Sequence, residues 1–170
     1  MADERLNPTV TVRDTAGVIA PPPLLALAAI VFGLLLDGLF PAYVLTVLLD
    51  FDDRILIAIV LALAGAALAV PAVLAFRRAG THVEPWKPAS ALVTRGIFRF
   101  VRNPMYVGLI VLVAGIAVAL ASDWTLVMTV ALAVTLHYGV VRREERYLAA
   151  KYGERYRDYC ARVSRYGWPG

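Results

Sequence analysis

The sequence predicts an all-α integral membrane protein with about four transmembrane helices. The third and fourth form a tight hairpin, and an amphipathic cytoplasmic helix follows at the C-terminal end. Three observations predict this. Of the 170 residues, 60% are hydrophobic, and the mean hydropathy of +0.68 is too high for a soluble domain of this size. The apolar residues are gathered into runs close to the length a bilayer requires. The charged residues flank those runs and do not cover a separate face, so the net charge of +4 points to a membrane boundary and not to nucleic acid.

Residues 1–20 read as a polar cytoplasmic N-terminus, and residues 21–170 as a single membrane domain. The first 17 residues carry both charge signs and no apolar core, so a cleavable leader is not expected there. Pro21, Pro22 and Pro23 open a first span over about 21–40, which Pro41 ends. Asp37 falls near the far end of that span, where the outer interface would hold it. Residues 42–53 fit either an interfacial segment or a continuation of the first helix, closed by Asp50, Asp52 and Asp53. The second span covers about 55–76, and Pro71 should bend it. The third and fourth, about 105–121 and 124–141, are separated only by Ser122 and Asp123. Trp124 reads as an interfacial anchor.

Charge fixes the orientation. Of the 17 Lys and Arg, only Arg54 lies in an expected outer loop. The positive-inside rule therefore places both termini and the 77–104 loop in the cytoplasm, with a bacterial cytoplasmic membrane as the expected location.

The tail, about 142–166, continues as an amphipathic helix. Leu148, Tyr152, Tyr156, Tyr159, Val163 and Tyr166 recur at steps of three and four and form one stripe. Arg143, Arg146, Lys151, Arg155, Arg157 and Arg162 lie mostly off it, as they would on a helix resting on anionic headgroups. Gly153 is a possible break. Helical phase puts Glu145 on the stripe of Val141 and Leu148, with Glu144 at its edge. A carboxylate on that face needs a cation, supplied either by Arg102 or Arg142 or by a bound ammonium or sulfonium.

The stretch from Leu92 to Gly108, LVTRGIFRFVRNPMYVG, organises the chain. Asn103 is a natural N-cap and Pro104 a natural first helical residue. Arg99 and Arg102 stand beside amide groups that already carry partial positive charge. Such a cluster is either ordinary flanking charge or an anion site. Phosphate-binding glycine loops, dinucleotide turns and nucleophile elbows are absent from the sequence. His82 and His137 are far apart and Cys160 is the single cysteine, so no metal site and no internal disulfide are expected. His82 reads as solvated, whereas His137, late in the fourth span, either reaches the interface or touches a ligand. Together, 99–106 and 144–145 would suit the two ends of a zwitterionic amino-acid group.

Two motifs in this order resemble the membrane methyltransferase superfamily, which includes isoprenylcysteine carboxyl methyltransferases and phospholipid N-methyltransferases. The first is the turn at Gly96–Phe98 followed by Arg102-Asn103-Pro104-Met105-Tyr106-Val107-Gly108. The second runs Glu144, Glu145, Leu148, Tyr152, Gly153, Tyr156 and Tyr159. The likeness covers roughly residues 81–165. It implies S-adenosyl-L-methionine as cofactor and a lipid or lipidated acceptor, such as an isoprenylcysteine-like carboxylate or a phospholipid amine, entering from the bilayer. It implies Arg102, Asn103, Pro104, Met105, Tyr106 and Gly108 on one side of the cofactor, with Gly96 in the turn before them. Glu144 and Glu145 would stand on the other side, and Arg102 and Glu145 would be the chemically essential pair. Asn103 stands where many relatives carry His, and an amide is no base near neutral pH. Two other readings share the pattern: an NADPH-dependent membrane reductase of the sterol-reductase type, and a non-catalytic membrane-interaction protein.

Overall fold

The computed structural model describes residues 15–167, so the first 14 residues of the expected cytoplasmic N-terminus lie outside the described residues. Among the described residues every regular element is helical: α1 (Pro22–Leu39), α2 (Val44–Leu48), α3 (Phe51–Arg78), a 3₁₀ turn (Gly96–Arg99), α4 (Pro104–Ala119), α5 (Asp123–Leu136), a π turn (His137–Val141), α6 (Arg142–Tyr152) and α7 (Glu154–Arg162). Three stretches are long and apolar enough to cross a membrane: α1, α3, and the continuous helix from Asp123 to Tyr152. The molecule is a helical membrane protein.

The helix boundaries follow from local chemistry. Residues 42–53 divide into the short α2 and the first turn of α3, which starts earlier than its apolar run. Asp50 caps α3 by accepting from the Asp53 amide at 2.9 Å, and Asp52 and Asp53 sit in the first turn, where the helix dipole favours them. α4 has only 16 residues, about 24 Å at 1.5 Å per residue, against a hydrocarbon core of roughly 30 Å. Pro104 fixes its start. Its end is fixed where Ala121 adopts φ 50° and the amides of Ala121 and Ser122 return to the carbonyls of Val118 and Ala117.

Side by side, α1 packs on α5, α5 on α4, and α4 most extensively on α3. Small residues make the closest approaches. A Cβ added at Gly108 would lie 2.6 Å from the Gly65 carbonyl oxygen, and one at Gly65 would lie 2.7 Å from that of Gly108. At the α1–α2 end, Asp37 accepts from Ser122 Oγ and from the Trp124 amide at 3.3 Å. Trp124 Nε1 donates to the Phe40 carbonyl at 2.7 Å. Both residues therefore tie α1 to α5, a more specific role than sitting at an interface. Asp123 accepts from the amides of Val44 and Leu45, each at 3.0 Å, and so holds the start of α2.

At the other end, the π turn widens the helix between α5 and α6. Here the Ile19 amide donates to the Gly139 carbonyl at 3.2 Å and Arg143 Nη1 donates to the Gly17 carbonyl at 2.8 Å. The tail is two helices, broken at Gly153, whose φ of 55° a side chain would strain. Its aromatic stripe packs inward. Tyr156 and Tyr159 are buried with Ala72 and Phe98, and Leu148, Tyr152 and Val163 pack against them. What remains for solvent or headgroups is the arginine face.

Candidate functional site

Two hollows meet where the helices end. The first is polar on one wall, lined by Arg102, Asn103, Glu144, Glu145, Tyr147 and Tyr156. The opposite wall is the irregular segment after α3, from His82 to Val93. That segment is folded by its own hydrogen bonds. Thr81 Oγ1 accepts from the Ser90 amide at 3.0 Å, the Ala89 amide donates to Tyr147 Oη at 3.1 Å, and Tyr152 Oη donates back to the Ala89 carbonyl at 3.1 Å. The loop is thereby pinned to α6. The second hollow is an apolar groove between α3 and α4, walled by Gly65, Ala69, Met105, Gly108, Leu112 and Trp86. Val83, Glu84 and Pro85 border both.

Tyr106 joins them. Its ring lines the groove, and its hydroxyl donates to Glu144 Oε2 at 2.8 Å on the cavity side. Glu144 has no cationic partner among the described residues. Glu145 is bound differently. Its Oε1 lies 3.3 Å from Arg102 Nη1, and Arg165 clasps both oxygens, Nε to Oε1 at 2.9 Å and Nη2 to Oε2 at 2.7 Å. That bidentate bond raises the Arg165 guanidinium above its ordinary range. Val141, Glu145 and Leu148 share one inward face, as helical phase requires.

Arg102 is nearly enclosed. Nη1 contacts Cys160 Sγ as well as Glu145, and the buried Nε has no hydrogen-bond partner among the described residues. A buried donor of this kind costs free energy until an acceptor reaches it. Asn103 does not cap α4 with its side chain. It does occupy the expected N-cap position before Pro104, and its Nδ2 donates to the Arg165 carbonyl at 3.3 Å, so the side chain holds the C-terminal strap. The Arg102 amide donates to the Ser164 carbonyl at 3.0 Å, and His137 Nδ1 pairs with Tyr166 Oη at 2.8 Å. Residues 164–166 therefore touch Arg102, Asn103, His137 and Glu145 together. Burial pushes the phenols of Tyr156 and Tyr159 well above their ordinary range, so both stay neutral; Tyr159 Oη donates to the Phe98 carbonyl at 2.7 Å.

The residues singled out from sequence thus divide. Arg102, Asn103, Glu144 and Glu145 line the cavity, while Met105, Tyr106 and Gly108 line the groove. Pro104 is the buried first residue of α4. Gly96 (φ 65°) makes the 3₁₀ turn and His137 stacks beside Tyr138 and Tyr166, and neither borders either hollow. Arg165 was missed. With 17 basic residues in the chain, no local pattern marks the one that reaches Glu145. Among the described residues no group of His, Cys, Asp and Glu is placed to hold a metal.

The described residues thus form a helical membrane protein in which a charged cavity lies beside an apolar inter-helix groove. Residues 53–155, well over half of the chain, match the family model for phospholipid methyltransferases. The chain belongs to that family. Comparison with curated proteins gives no match.

Proposed function

We propose that this chain transfers a methyl group from S-adenosyl-L-methionine to a lipid or lipidated acceptor at the cytoplasmic membrane face. The carrying observation is the Tyr106–Glu144 hydrogen bond at the junction of the charged cavity and the apolar groove. The cavity suits the amino-acid end of the cofactor. Arg102 Nε, unpartnered among the described residues, offers a donor to a carboxylate, and Glu144, with no guanidinium partner among them, offers an acceptor to an ammonium. When bound, the cofactor supplies an electrophilic methyl group on a sulfonium, and the chain's task is alignment. Tyr106 holds the Glu144 carboxylate in place. Glu145, clamped by Arg102 and Arg165, keeps the Arg102 side chain directed into the cavity. The His82–Val93 loop, pinned by Tyr147 and Tyr152, keeps water out. Asn103 supplies no base, which suits an acceptor that is already nucleophilic, such as a carboxylate.

The groove between α3 and α4 is the acceptor's route from the bilayer. In this reading α4 completes a four-helix membrane domain over residues 21–170, the cavity faces the cytoplasm with both termini, and α4 and α5 form the hairpin. The test is calorimetric titration of the purified full-length chain with S-adenosyl-L-methionine and, separately, NADPH, followed by transfer of a labelled methyl group into an extracted membrane lipid fraction. Saturable binding of the first and label in the lipid phase are expected. Binding of NADPH alone, or of neither, overturns the reading.

A further inference from the structure

A second charged hollow lies between α6, α7 and the C-terminal strap. Five arginines line it, Arg102, Arg142, Arg146, Arg157 and Arg165, and among its lining residues Glu145 is the one carboxylate. Glu145 is already saturated by Arg102 and Arg165, and at the rim Arg157 pairs with Glu154. Arg142 and Arg146 have no acidic partner among the described residues. Arg142 is stacked 5.6 Å over the Tyr138 ring, and Arg146 Nε donates only to the Arg142 carbonyl, at 3.3 Å. A concave site with uncompensated forked cations is built for a phosphate, which accepts two parallel N–H bonds from each.

The surface leading into this hollow identifies the source of that phosphate. Val130, Val134 and Tyr138 are 66%, 53% and 59% exposed and follow one another at steps of four, and the same step leads on to Arg142 and Arg146. The stacking of Arg142 on Tyr138 shows that the stripe continues through the π turn. An exposed apolar surface ending in a phosphate-seeking pair has the polarity of a phospholipid, with acyl chain and headgroup in that order. We propose that α5 and α6 seat an anionic phospholipid, with its phosphate between Arg142 and Arg146 and an acyl chain along Tyr138, Val134 and Val130. The excess of cations disfavours a headgroup amine, so the lipid is anionic and not zwitterionic. This site is separate from the acceptor groove between α3 and α4. It rests on the membrane character of the chain and not on the methyl-transfer reading.

The test uses the delipidated full-length chain in a non-ionic detergent, titrated with phosphatidylglycerol and with phosphatidylcholine and read by native mass spectrometry. Phosphatidylglycerol should be retained as a one-to-one adduct, and the Arg142→Gln/Arg146→Gln double variant should weaken it at least about tenfold. Arg77→Gln/Arg78→Gln, which removes two exposed charges outside the hollow, should leave it unchanged. The proposal is overturned if the first variant binds like the wild type, if the second weakens binding equally, if phosphatidylcholine binds as well, or if inorganic phosphate binds while the lipid does not. Titration of each variant with S-adenosyl-L-methionine keeps the two readings apart, since Arg142 and Arg146 lie outside the cofactor cavity and their loss should not change that affinity.

Discussion

Arg165 holds Glu145 by two parallel hydrogen bonds, Nε to Oε1 at 2.9 Å and Nη2 to Oε2 at 2.7 Å, across 20 residues of chain. This bond attaches the strap after α7 to the start of α6, and Arg102 completes it from the loop before α4. Glu145 is therefore an anchor for two cations, whereas Glu144 has no cationic partner among the described residues.

Glu145→Gln should accordingly lower stability more than affinity. The neutral amide leaves Arg102 and Arg165 without their counter-charge, and Arg102 is nearly buried, with a side chain 12% exposed. The expected loss is about 1–3 kcal/mol, moderated because Arg165 is partly solvated. Thermal unfolding in detergent should show it, while S-adenosyl-L-methionine affinity per folded molecule should change less than threefold. Unchanged stability with lost affinity would return Glu145 to direct cofactor contact.

Gly108→Ala should separate α3 from α4. The added methyl would lie 2.6 Å from the Gly65 carbonyl, a backbone atom that cannot rotate away. Overpacking of this kind costs about 1–3 kcal/mol, and because the same helices wall the groove, acceptor turnover should fall with it. Gly38→Ala is the control, because a Cβ there meets nothing within 4 Å. If both variants unfold at the wild-type temperature, the close helix contact is not present in the membrane protein.

Much of this architecture is legible in the sequence because it rests on short-range rules. Hydrophobic runs mark α1, α3 and α5, Pro104 marks the start of α4, and phase at 100° per residue carries Glu145 to the inward face with Leu148. What depends on contacts between distant segments is not legible. Nothing local in the Ser164-Arg165-Tyr166 segment announces that its backbone will accept from Arg102 and Asn103. Asn103 takes the N-cap position its local sequence predicts, but nothing local announces that its Nδ2 will donate to the Arg165 carbonyl. The π turn at His137–Val141 is likewise hidden in an unbroken apolar run. It becomes intelligible only once Ile19 is seen donating to the Gly139 carbonyl.

Cys160 reports the orientation of the whole chain. It is half-buried, touches Arg102, and borders the arginine-lined hollow, so a small reagent can reach it from the side on which α6 and α7 lie. In the proposed orientation, which the clustering of Lys and Arg supports, that side faces the cytoplasm. A membrane-impermeant maleimide should label the chain in inverted vesicles and not in intact cells. Labelling in intact cells would reverse the orientation, and with it the face at which the cofactor arrives.

Glu144→Gln is the sharpest test of the cofactor assignment. The residue has one described partner, the Tyr106 hydroxyl at 2.8 Å, and an amide oxygen can accept that bond as the carboxylate does. Shape and hydrogen bonding are thus preserved while one charge is removed, so the unfolding temperature should stay level, or rise as a desolvated charge disappears. A ligand ammonium loses a charge-assisted hydrogen bond and keeps a neutral one. That difference of about 1.5 kcal/mol or more corresponds to a tenfold or greater loss in S-adenosyl-L-methionine affinity. Tyr106→Phe tests the same arrangement from the other side. The carboxylate keeps its charge but loses the group that orients it, so turnover should fall more than cofactor affinity. If Glu144→Gln binds the cofactor as tightly as the wild type, the ammonium is held elsewhere. The Tyr106–Glu144 bond would then be a structural tie between α4 and α6, and it would no longer mark the place where cofactor and acceptor meet.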